Sequence, residues 1–103
     1  MTPEDLRRDY AVALLRFLPA RDEAALSAAY DLGRDCLASG VSVLELVRVH
    51  HDVLAEVLGG TREGERDGVL EAAGDFLAEV LTPVDLTRRA MTEAAPDTAL
   101  GEG

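Results

Sequence analysis

The sequence predicts an all-α domain, an antiparallel four-helix bundle. Three observations carry that expectation. Apolar residues recur at helical spacing along four separate segments. Helix-start signals precede three stretches, Thr2-Pro3-Glu4-Asp5, Ser42-Val43-Leu44-Glu45 and Thr82-Pro83-Val84-Asp85. No segment shows the period-two alternation of a half-buried strand.

Helix 1 is expected from about Pro3 to Leu18. Thr2 serves as N-cap, Pro3 stands at N1 and Asp5 at N3, and Pro19 stops the helix. Leu6, Tyr10, Ala13, Leu14 and Phe17 share its inner face. Helix 2 is expected from about Asp22 to Ala38, with Leu26, Ala29, Tyr30, Gly33, Cys36 and Leu37 inward and Gly40 as the residue that ends it. Gly33, mid-helix and inward, implies close approach of another helix, because it costs about 1 kcal/mol relative to Ala. Helix 3 starts at Ser42 with a capping box to Glu45 and ends at Gly59–Gly60. Helix 4 begins within Thr61–Gly68 and runs through Val69, Ala73, Phe76, Leu77 and Val80. Pro83 marks either a kink or the start of a fifth short helix at Thr82. The spacing favours a kink or brief break, with helix resuming to about Met91. Residues 1–92 form one domain, and 93–103 read as a disordered tail. The connections are short, so neighbouring helices are expected to be antiparallel.

Totals narrow the function classes. The chain has 103 residues, enough for one core, and only 4% are aromatic, so that core must be mostly Leu, Val and Ala. Its net charge of −10 disfavours nucleic acid and anionic membranes as partners. The single Cys36 cannot form an internal disulfide, which fits a reducing, cytoplasmic setting. No apolar run approaches the roughly 18 residues of a membrane span, and the polar N-terminus is not a signal peptide.

Chemical signatures are sparse. His50 falls near the centre of the helix 3 apolar stripe, with Val43, Leu46, Val47, Val53, Leu54 and Val57. His51 falls at its edge. Adjacent positions on a helix diverge by about 100°, and neither histidine has a ligand-type residue three or four positions away. His50 is therefore expected as a hydrogen-bonded core residue and His51 as a rim residue. The rival reading is a small-ligand or metal sensor using His50, His51 and Cys36. No nucleophile–base set stands out. Neither an enzyme nor a cofactor is expected, and there are no catalytic, cofactor or metal residues to assign.

Apolar residues off the main stripes point instead to association. Val12, Leu15 and Leu18 on helix 1, Ala25, Ala28 and Leu32 on helix 2, and Leu70, Gly74, Ala78 and Leu81 on helix 4 lie on second faces. Val12 and Leu15 are assigned to self-association in a homodimer. Glu23, Ser27 and Tyr30, with Ala78 and Leu81, are assigned to a protein partner.

The ordered string LLRFL, DEAALSAAYDLGRDCLASGVSVLELVRVHHDVLAEVL and FLAEVL resembles the N-terminal domain of RsbU-type serine phosphatases, over about residues 6–90. Leu32-Gly33-Arg34 and Val49-His50-His51 are its most specific parts. The resemblance implies a dimerising four-helix domain that receives an RsbT-type switch kinase. That binding would turn on a metal-dependent phosphatase in bacterial stress signalling. The 103 residues include no phosphatase domain, as expected either of an excised domain or of a free-standing homologue. The resemblance therefore implies the regulatory role and not the catalysis, and it matches His50 to a central packing position.

Overall fold

The computed structural model describes residues 1–94. They form α1 (Pro3–Ala20), α2 (Glu23–Ala38), α3 (Val43–Gly59), a 3-10 turn (Glu63–Glu65) and α4 (Arg66–Ala94), with no strand among the described residues. The fold is the expected all-α four-helix arrangement. Leu6, Tyr10, Leu14, Phe17, Leu46, Phe76 and Val80 build one buried core from α1, α3 and α4, joined by Ala29, Leu32 and Cys36 of α2.

The helix starts follow the sequence chemistry. Thr2 and Asp5 make a reciprocal capping box: the Asp5 N–H donates to Thr2 Oγ1 at 3.1 Å, and the Thr2 N–H to Asp5 Oδ2 at 3.4 Å. Asp22 caps α2 through the Ala25 N–H at 2.9 Å. Ser42 accepts from the Glu45 N–H at 3.1 Å, but Glu45 does not reach back, so α3 has the cap without the box. At the end of α2, Gly40 takes φ +74°. The Val41 and Gly40 N–H groups donate to the Cys36 and Leu37 carbonyls, which satisfies two orphan acceptors.

Both internal prolines depart from expectation. α1 continues through Pro19 to Ala20, where Arg21 at φ 47° ends it. Pro19 deprives only the Leu15 carbonyl of a donor, and Leu15 lies on the solvent face, where water can serve instead. α4 is likewise continuous through Pro83, with no fifth helix. The Thr82 hydroxyl is not a cap: it donates back to the Ala78 carbonyl at 2.8 Å. Pro83 itself is buried. α4 also extends past the expected end near Met91. Positions 93 and 94, assigned to the tail, are helical, and the rest of that tail lies outside the described residues.

Chain direction alternates from helix to helix, as the short connections require. Spatial adjacency is a different matter. α2 packs most extensively on α4, and α2 and α3, consecutive in sequence, do not pack on each other. Arg21, just before α2, donates to the Gly68 carbonyl at 2.6 Å, and Gly33, farther along α2, meets Val80 and Pro83. The two helices therefore advance side by side, a parallel pair. Gly33 permits this: a Cβ there would stand 1.9 Å from the Val80 carbonyl oxygen and 2.8 Å from Pro83 Cγ.

This arrangement reassigns several side chains. Leu32, expected on a second face, is buried at 7% exposure. Leu37, expected inward, is exposed, because α3 does not cover that end of α2. Val43 and Val47, expected in the apolar stripe of α3, are exposed for the same reason, as is Leu44. Val69 is half-buried, and Ala72 takes a core position beside Ala73.

Candidate interaction surfaces and the buried histidine

His50 sits where the sequence placed it, partly buried on the inner side of α3. Its Nδ1 hydrogen-bonds the Tyr10 hydroxyl of α1 at 2.7 Å, and the two rings meet edge to face at 5.8 Å. Tyr10 in turn stacks edge-on against Phe76 of α4 at 5.1 Å. The trio ties α1, α3 and α4 together. Burial raises the Tyr10 phenol pKa, so the phenol stays neutral. Burial, with a smaller contribution from His51, lowers that of His50, which favours the neutral imidazole. A neutral hydrogen-bonded pair is the state this pocket favours. His51 is exposed.

The three residues of the sensor reading do not come together as ligands. Cys36 is fully buried on α2, and α2 does not pack on the helix that carries the histidines. Burial first, then the nearby Asp35 and Asp9 carboxylates, raises the thiol pKa, which disfavours the thiolate a metal would need. Among the described residues no group of three His, Cys, Asp or Glu side chains converges on a point.

The surface is more informative. On α1, Val12 and Leu15 are 45% and 55% exposed, three positions apart, and the exposed Pro19 continues their line. Grooves flank this stripe on both sides. Toward α2 the groove holds Asp9, Val12, Arg16, Ala28, Asp31 and Asp35. Toward α3 it holds Ala11, Leu15, Val53, Glu56 and Val57. Arg7 clamps the α3 side through ion pairs to Glu56 and, at 3.8 Å, to Asp52.

The five residues assigned to a partner occupy two separate places. Glu23 and Ser27 are exposed on α2, and Tyr30 is half-buried there. Tyr30 lines a groove closed by Pro83, Leu86 and Thr87 of α4, with Arg34 and Leu37 beside it. Ala78 and Leu81 do not line that groove. Pro83 faces α2 across Gly33, and Leu81 stands two residues, about 200°, around the helix from it. The structure therefore brings Tyr30 to Leu86, a residue the sequence reading did not single out, and leaves Leu81 packed on the core from the other flank. Leu86 is 52% exposed, on the part of α4 beyond Pro83. The Asp9–Arg16 spacing, seven residues apart and so on one side of α1, was legible but had no groove to give it meaning.

No helix among the described residues is long and apolar enough to cross a membrane. A family model described as the N-terminal domain of the phosphoserine phosphatase RsbU matches residues 8–87. No curated protein and no solved structure matches the chain.

Proposed function

The chain belongs to the RsbU N-terminal domain family, and from that premise we propose that it is a non-catalytic module that works in the cytoplasm, self-associates and binds a signalling protein. The family is the regulatory part of RsbU-type phosphatases rather than their catalytic part. The partner we infer is an RsbT-type switch kinase, whose binding controls a serine phosphatase in a bacterial partner-switching pathway.

The single observation that carries this reading is the family match over residues 8–87. The surface agrees with it. Three apolar or mixed faces are exposed on a chain whose core is complete, and large exposed apolar residues that form a line favour protein contacts. We assign self-association to Val12 and Leu15. We assign the partner to the α2 flank of Glu23, Ser27 and Tyr30, extended onto Leu86. Ala78 and Leu81 form a second, separate candidate face.

The test is capture from lysate of the source cells with this chain as bait, with the bound proteins identified by mass. Recovery of a small ATP-binding kinase of the anti-sigma type, lost with Tyr30→Ala, supports the proposal. Recovery of no such kinase under conditions where the bait is folded counts against the partner assignment.

A further inference from the structure

The outer face of α1 carries a charge pattern that is complementary to itself. Asp9 and Arg16 lie two helical turns apart on the side toward α2, about 10 Å along the axis, with Val12 between them. α1 and α2 reverse direction at the two-residue turn Arg21–Asp22, so Asp35 stands level with Asp9, near Cys36. One end of the groove is thus acidic, and the other carries Arg16. Among the described residues neither Arg16, Asp31 nor Asp35 has an ion-pair partner within 4.0 Å, and Asp9 pairs only with its neighbour Arg8, at 3.5 Å.

We propose that a second copy of this chain covers this face, with the two α1 helices antiparallel about a two-fold axis beside Val12 and Ala13, so that Asp9 of each copy pairs with the partner's Arg16. The inference rests on the self-association reading above and gives it a register. A two-fold axis perpendicular to both helices reverses position along α1 but keeps the α2 side on the α2 side. It therefore carries Asp9 of one copy to the level of Arg16 in the other, and the pair forms twice. The same operation sets Val12 against Val12 and brings the apolar stripe of each copy onto the other. It also places the partner's Arg16 near Asp35. A shift of one turn would instead set Asp9 against the partner's Val12 or the partner's Pro19, and a shift of two turns would oppose the two Asp9 carboxylates or the two Arg16 guanidinium groups. The charge pattern selects one register among those the apolar residues alone would allow.

Two single variants and their mixture test this register. In a D9R homodimer two Arg–Arg pairs face each other, and in an R16D homodimer two Asp–Asp pairs do. Each is expected to dissociate at about tenfold higher concentration than wild type in sedimentation velocity at low salt. Mixed together, the two variants restore both opposite-charge pairs, so native mass spectrometry should show the heterodimer well above its statistical half. The D9R/R16D double variant should recover most of the lost affinity, and stay short of wild type because the carboxylate introduced by R16D then lies near the partner's Asp35. If the single variants dimerise like wild type and mix statistically, the register is wrong while self-association stands. If wild type stays monomeric at about millimolar concentration, self-association itself fails and the register falls with it.

Discussion

Gly33 of α2 and Pro83 of α4 meet so closely that one extra carbon on Gly33 would lie 2.8 Å from the proline ring and 1.9 Å from the Val80 carbonyl. This contact explains two features that sequence rules alone disfavour, a glycine inside a helix and a proline inside another. Pro83 leaves the Glu79 carbonyl without its helical donor, a penalty of about 3 kcal/mol in an isolated helix. Burying the ring in the notch that Gly33 provides offsets part of that loss.

Gly33→Ala therefore has two opposed effects. Helix propensity gains about 1 kcal/mol. Overpacking against backbone costs more, because the Val80 carbonyl cannot rotate away as a side chain can. With an overpacking cost toward the upper end of about 1–3 kcal/mol, the net expectation is a loss of about 1–2 kcal/mol in urea denaturation. A more stable variant would refute the close α2–α4 approach.

The Tyr10–His50 pair gives a second expectation. Tyr10→Phe keeps the packing on Phe76 but leaves His50 Nδ1 without its partner, for a loss of about 1 kcal/mol. The pH dependence follows from the lowered His50 pKa. The folded state releases the proton more readily than the unfolded chain, whose histidine titrates near 6.5. The contribution of this site to stability is complete above that value and is lost as pH falls through the folded pKa. Denaturation curves across the window just below pH 6.5 should show this slope in wild type and lack it in His50→Leu. His50→Leu should still self-associate and bind its partner, since the imidazole serves packing. A folded variant that lost both functions would give His50 a direct role.

Cys36 is fully buried with a raised thiol pKa. Native protein at pH 8 should react with a thiol reagent only through opening of the fold, far more slowly than chain unfolded in urea. Prompt native labelling would show that the α1–α2 seam is open, and would revive the sensor reading.

Leu15→Glu places a charge on the 55%-exposed outer face of α1 without touching the core. Thermal stability of the monomer should stay within about 0.5 kcal/mol, while self-association falls sharply. A dimer of unchanged strength in sedimentation equilibrium would remove α1 from the interface.

Much of the fold was legible in the sequence because its punctuation is local. Thr2, Ser42 and Gly40 act on nearby backbone groups, so their chemistry reads directly, whereas Asp22, read as the first residue of its helix, proves to be the cap. Pro83 was misread for a non-local reason. Whether Pro83 breaks a helix depends on what its ring packs against, and that is Gly33, far away in sequence. The same limit hid the adjacency of α2 and α4, and with it the exposure of Leu37, Val43 and Val47. Val12 and Leu15 were readable as surplus apolar residues because the α1 core stripe is complete without them. The partner set was only half coherent: helical spacing placed Tyr30 and Leu81 on helix flanks but could not say that those flanks point away from each other.

The regulatory reading meets its most direct test in calorimetric titration of a purified RsbT-type switch kinase into this chain. The account predicts saturable binding that Tyr30→Ala or Leu86→Glu weakens by tenfold or more, about 1.4 kcal/mol, while both variants keep the wild-type helical signal. Binding unaffected by either substitution would move the partner to another face, and no binding by the folded wild-type chain would contradict the proposed function.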